Sequence, residues 1–418
     1  MLNSTKFLRE VSEELGYRID DTGHKVGWVD GPNSRGTLDI VWTCEFLLFT
    51  CLWASLHPNV PAPEDSERAK WLRKLKLTGL AALFPEVFIG IAFVNWWDAR
   101  HDARLMREHG FAKWDRKMCA FVRMGGVWLQ AESGPELGST KSGFSLPCPK
   151  VTPFICVEAD VLRTMFQTGV LDPGCLTREM IDDKSKGDWF IKVVACWQAV
   201  YFGLQCIGRW AYGLPLTTLE LATVGYAIYA LIIYLMWWSK PVDISMPVVF
   251  TVSRQSLDHV RYLHGPKVEN CPSWRKILDP KLPDVNEIRR VPENYSVTGG
   301  MRPELCIYPV LLSSTLFAGV HFAAWNFEFP TGTEQNLWRI CCIIMATASP
   351  LSTALYSIRG RVAEIRQFDI PLMVVFFLCF LMNVVARLYL TVEVFVHLRA
   401  VPVGCYESLD WMAVLPHI

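Results

Sequence analysis

The sequence has no excess of charge of either sign: 41 Lys and Arg stand against 41 Asp and Glu, and charged residues are only 20% of the 418. That leaves no basic block for a phosphate backbone, so no nucleic-acid partner is expected. The 14 cysteines include no CxxC pair and no Cys/His group at zinc spacing, which excludes a zinc module and a dithiol redox site. A phosphate loop, a GxSxG elbow, an HExxH helix and a haem-attachment pattern are also missing. The reading therefore includes no metal and no cofactor. Internal repeats are missing too, and with them the inverted pair of broken helices found in many transporters. Met1–Gly36 is polar and charged, so no cleaved leader is expected and insertion falls to the first apolar run.

What is present is apolar length. Hydrophobic residues make up 51% of the chain, with 17 Trp among them. Trp189–Arg209 and Leu219–Trp238 are apolar runs of about 20 residues, each enough to cross a hydrocarbon layer of about 30 Å. The Gly-Leu-Pro turn between them is too short for a domain, so they predict an antiparallel transmembrane hairpin. Trp189, Trp210, Trp237 and Trp238 would be its interfacial anchors. Thr37–His57, Thr78–Trp97, Leu305–Trp325, Leu337–Ile358 and Ile370–Val396 are further runs. The expected fold class is all-α, a polytopic transmembrane helical bundle of about seven spans.

The chain divides accordingly. Residues 1–36 form an N-terminal cytoplasmic segment, 37–97 the first two helices and 98–188 an extramembrane loop region. The hairpin occupies 189–238, a second loop region 239–304, the last three helices 305–396 and a tail 397–418. Within the first loop region, MCAFVRMGGVWLQ is short and broken by Arg123 and two glycines, and reads as interfacial or re-entrant. With the N-terminus inside, both long loops are cytoplasmic, as positive-inside bias requires, and so are the sequons at Asn3 and Asn294. Arg68, Lys70, Arg73, Lys74 and Lys76 then conflict with that bias, because they fall on the opposite side. The location expected is a multi-pass protein of the endoplasmic reticulum or plasma membrane, with the lipid bilayer as a partner.

Ionisable groups within apolar runs face the bundle interior and mark candidate sites. Glu86 follows Pro85, and no cation lies within a turn of it. It either pairs with an arginine of another helix or stays protonated, and a buried protonated acid can start a reaction on an alkene or epoxide. Glu45 has the same two readings, as an acid or as a partner for Arg387. Glu220 is the third candidate acid, although Thr217-Thr-Leu-Glu220 also fits a capping box. Gln198, Gln205 and Arg209 share one helical stripe, suited to inter-helix hydrogen bonds with Arg209 snorkelling at the helix end. Arg387 shares a face with Asn383 and is deep enough to require a partner. His321, Trp325 and Asn326 would form the rim of a substrate pocket with Arg209 and Arg387, or His321 is structural.

Asn95-Trp-Trp-Asp98-Ala-Arg-His-Asp102 is similar to the Asp-xxx-Asp motif by which intramembrane prenyltransferases hold magnesium diphosphate. It is shifted by one residue, and Arg100 and Arg104 interleave with it, so a solvated helix end is the plainer reading. The blocks GWVDGPNSRGTLDIVW, SKGDWFIK, GLPLTTLELAT, HFAAWNFEFPT and RLYLTVEVF resemble a group of fungal multi-spanning membrane proteins over nearly the whole chain. That likeness implies the fold and carries no catalytic motif. In architecture alone, the chain is similar to the integral-membrane terpene cyclases of fungal natural-product pathways, which begin cyclisation with a buried carboxylic acid. With the candidate acids and the many Trp and Phe, this second likeness leads to the expectation of a tailoring enzyme acting on a lipophilic terpenoid by acid-initiated cyclisation or isomerisation. The alternatives are a non-catalytic scaffold or receptor-like protein, and a transporter.

Overall fold

The computed structural model describes residues 25–26, 28, 35–61, 65–131, 154–157, 159–185, 188–253, 255–256, 303–362 and 366–407. Both sequons, the loop 132–150 and the last residues of the tail lie outside this set. The described residues are mostly helical.

After the short strand β1 (Lys25–Val26) comes α1 (Thr37–Ser55), whose first turn is closed by Asp39 accepting from the Gly36 amide at 2.9 Å. Ser66 caps α2 (Glu67–Leu83), and α3 (Pro85–Glu108) follows at once. Next are α4 (Arg116–Arg123), β2 (Val127–Ala131), β3 (Phe154–Cys156), α5 (Ala159–Gln167) and α6 (Arg178–Lys184). Then come α7 (Asp188–Ala211), α8 (Thr218–Met236) and β4 (Val248–Val252). The chain closes with α9 (Pro303–Phe322), α10 (Gly332–Val362), α11 (Arg366–Val396) and β5 (Val401–Pro402).

Among the described residues, Thr37–Ser55, Thr218–Met236, Gly332–Leu355 and Ile370–Arg399 are long and apolar enough to cross a membrane. Counting α2 and α3 as one broken span makes five such crossings. The run Thr78–Trp97 is not the straight helix its composition predicts, because α2 and α3 are bent by 113° around Phe84. Proline has no amide hydrogen and a φ already suited to a first turn, so Pro85 starts a helix here rather than sitting inside one. A bend beyond 90° sends the chain back toward the side it came from.

The bundle has two distinct ends. At one end β1 pairs antiparallel with β5, Arg35 reaches Glu220, and the Thr37 and Tyr406 hydroxyls are 3.1 Å apart. At the other end His57 stacks on Trp237 with ring centroids 5.7 Å apart, and Lys74 binds Asp243 at 2.8 Å. Hence α1 and α8 run parallel, from the first end to the second. Between α8 and α9 the helices approach closely at Gly225, where a Cβ would stand 2.9 Å from Val320 Cγ1.

At the second end lies a small α/β domain. MCAFVRMGGVWLQ is not one continuous apolar segment: it supplies α4 and then β2. The sheet order is β3-β2-β4, with β2 antiparallel to β3 and parallel to β4. Residues 98–188 and 239–304 are thus not two separate loop regions, since strands from both share one sheet. Phe121, Leu129, Leu162, Phe166 and Ile181 form its core, apart from the bundle core around Ile40, Ile233 and Trp338.

Candidate functional site

One buried polar group of the bundle is built at the bend between α2 and α3. α2 ends there with open carbonyls, and a helix end inside protein needs partners for them. Tyr226 donates to the Ala82 carbonyl at 2.6 Å, and Arg387 Nη1 to that of Leu83 at 2.6 Å. The other arm of the same guanidinium donates to Glu86 Oε1 at 2.8 Å, and Arg387 and Glu86 are 5% and 3% exposed. Glu86 is therefore in the first turn of α3, where the helix dipole favours a carboxylate. Of the two candidate partners for Arg387, the structure selects Glu86. Glu45 faces outward on α1 and does not reach the site.

Aromatic rings enclose this pair. Arg387 lies over the rings of Phe317 at 5.0 Å and Phe84 at 5.8 Å, both within cation–π range. His321 is one turn beyond Phe317, its ring packed against Phe317 and Trp338 and its Nδ1 3.0 Å from the Phe317 carbonyl oxygen. Trp325 instead stacks on Phe322 beneath Arg339, and Asn326 is exposed. The three expected rim residues are thus not assembled: His321 points inward and the other two do not join it.

Glu220 and Arg209 belong to the first end of the bundle. The capping box is present, with Glu220 Oε2 accepting from the Thr217 amide at 2.9 Å, while Oε1 takes Arg35. Arg209 is 3% exposed, so it does not snorkel. It donates to the carbonyls of Pro215, Gly404, Cys405 and Glu407, tying the end of α7 to the C-terminal segment.

A second ionic cluster, at the far end of α3, is one that sequence reasoning assigned wrongly. Asp98 and Asp102 are 0% and 4% exposed, not a solvated helix end. Both receive Arg123: Nη1 reaches Asp98 at 2.8 Å, while Nε and Nη2 grip Asp102 at 2.5 and 3.0 Å. Burial alone would pull the guanidinium down, yet Asp102 and Asp98 hold it above its ordinary value. The aspartates are consumed by this clamp, which leaves them unsuited to magnesium diphosphate. One signal of the clamp was in the sequence, namely an arginine inside an apolar stretch.

A family model matches residues 15–263 and 309–418. The chain belongs to DUF8562, a family of unknown function. The match covers most of the bundle, the α2–α3 hairpin and all three strands of the domain, and its break takes in part of the second polar section and the start of α9. No curated protein and no solved structure matches the chain.

Proposed function

We propose that this chain is a multi-pass membrane protein of six crossings and one re-entrant hairpin, acting as a receptor-like or scaffolding protein. The outer faces of its long helices favour lipid: Trp42, Phe46, Trp197, Ile207, Leu312 and Leu381 are all exposed. The β1–β5 pairing supports an even count, since it joins the chain ahead of α1 to the chain after α11 at one end. α1, α7, α8, α9, α10 and α11 are the crossings, while α2 and α3 enter and leave on one side. This reading replaces the expected seven. It also resolves the charge conflict, because Arg68–Lys76 then join the long polar sections on the cytoplasmic side and residues 1–36 pass to the other.

The observation that carries the functional reading is the continuity of α3. Its first turn holds Glu86 against Arg387 in the bundle, and Asp98 and Asp102 grip the domain about 18–24 Å further along. A change at the hairpin has a rigid path into the domain. The acid-initiated terpenoid chemistry is the weaker reading, because Glu86 is engaged by Arg387, Glu220 is committed to a cap, and Glu45 faces outward. The half-crossing hairpin favours transport as the second reading, since such hairpins line substrate paths in transporters.

Epitope tags ahead of Thr37, within 132–150 and after residue 407 test the arrangement. The first and last are expected on one side and the middle tag on the other. Finding the first with the middle would restore an odd count. For the function, Arg387→Met in a lipid nanodisc should raise amide exchange in 116–131 as well as at the hairpin. A change confined to the bundle would sink the receptor-like reading.

A further inference from the structure

Where the bundle meets the domain, a shallow open pocket is walled by α3, α4 and the chain leaving α8. Its basic groups are Lys240, Arg116 and the clamp arginine Arg123, its neutral polar groups include Asn95 and Ser239, and Trp96 and Trp237 give it an aromatic side. Lys240 is the unusual member. It is 7% exposed, and its ammonium lies 4.7 Å from the centre of the Trp237 ring. Among the described residues no carboxylate pairs with it. Burial, helped by the nearby Arg73, pushes the amine down to about 7. Arg116 is exposed and makes no ion pair among the described residues either. Beside the pocket, Asp98 and Asp102 are already held by Arg123.

A buried amine without a counter-charge is costly, and a bound anion relieves that cost. A lysine, an arginine, an amide and a hydroxyl converging from several elements suit a phosphate group, with its several acceptor oxygens. The pocket is also level with Trp237, at the end of the apolar stretch Thr218–Met236, where headgroups would lie if the membrane reading holds. We propose that this pocket binds the phosphate headgroup of an anionic amphiphile, with Lys240 and Arg116 on the phosphate and Trp96 and Trp237 against the start of the apolar chain. This rests on the membrane reading for the origin of the ligand, and not for the chemistry of the site.

The test is native mass spectrometry of the full chain in detergent micelles, titrated separately with dioleoyl phosphatidic acid, dioleoyl phosphatidylcholine and inorganic phosphate. One molecule of phosphatidic acid should bind at least tenfold more tightly than phosphatidylcholine. Lys240→Met should remove that preference and Lys240→Arg should keep it. Arg116→Ala should weaken binding several-fold, and because Arg116 is exposed this variant tests the site without disturbing a buried group. Protection by inorganic phosphate at equal concentration would assign the same site to a soluble phosphate. Equal binding of both lipids, or wild-type preference in both Lys240→Met and Arg116→Ala, would overturn the proposal. The titration does not depend on sidedness, so its failure and a failure of the tag experiment remain distinct.

Discussion

At each end of α3 a buried arginine meets acid, and the two contacts differ in proportion. In the bundle one guanidinium serves one carboxylate, and Glu86 Oε2 and Arg387 Nε have no hydrogen-bond partner among the described residues. In the domain one guanidinium serves two carboxylates through three short contacts. The bundle pair is held partly by backbone and by aromatic faces, through the Leu83 carbonyl and the Phe84 and Phe317 rings. The domain clamp sets two carboxylates against one guanidinium. An arginine that also caps a helix end has a structural reason to be buried, whereas buried aspartates make a cation necessary.

The largest effect should come from breaking the clamp. Arg123→Met takes the guanidinium away from the buried Asp98 and Asp102, a loss near the top of the roughly 3–5 kcal/mol expected for breaking a buried ion pair. Urea unfolding followed by tryptophan fluorescence would read it, since Trp114 and Trp128 lie in the domain. Adding Asp98→Asn and Asp102→Asn should recover most of the loss. An arginine variant that unfolds no more easily than wild type would show that the clamp is not needed.

Next in size is the bundle pair. Arg387→Met strands a single carboxylate and should cost roughly 3 kcal/mol, less than the clamp. Combining it with Glu86→Leu should return part of the folded yield. Were Arg387→Met to cost more than Arg123→Met, its capping of Leu83 would outweigh its charge and the comparison would invert. No recovery in the double variant would mean that the ion pair itself contributes little.

The smallest effect concerns Lys240, which lies between the two clusters and has no acid. Its folded value of about 7 is below the unfolded value of about 10.4, so between them the unfolded chain binds more protons and stability rises with pH. From pH 7 to about 8.5 the gain should be at most about 1.4 kcal/mol per pH unit, and Lys240→Met should flatten it. Above that range Cys119, whose thiol burial pushes up, acts in the opposite direction. A wild-type profile as flat as the variant's would show that Lys240 is not desolvated.

Local signals were legible where a local rule produced them. The capping box at Thr217 and Glu220 follows from a spacing of three residues, and it is present as expected. The need of Arg387 for an acid follows from its depth, but the choice between Glu86 and Glu45 did not. The hairpin was hidden for a related reason. Hydropathy summed over Thr78–Trp97 is blind to direction, so a run that turns back at Phe84 looks the same as one that crosses. The strand at Val248 was missed because its partner, β2, lies beyond two bundle helices in sequence, and five residues of apolar chain do not announce a parallel neighbour.

The sequence by itself determined which segments are apolar helices, where several of them start, and that arginines lie too deep to stay unpaired. Those follow from composition, from spacing of a few residues and from the cost of burying charge. Only the tertiary structure decided that α2 and α3 bend by 113° at Phe84, that β1 and β5 bring the two ends of the bundle sequence together, and that two distant polar sections make one sheet. Each of these depends on the direction of a chain segment or on a partner more than a hundred residues away. Neither is recorded in a local pattern of side chains, because many arrangements bury the same apolar surface and only packing selects among them.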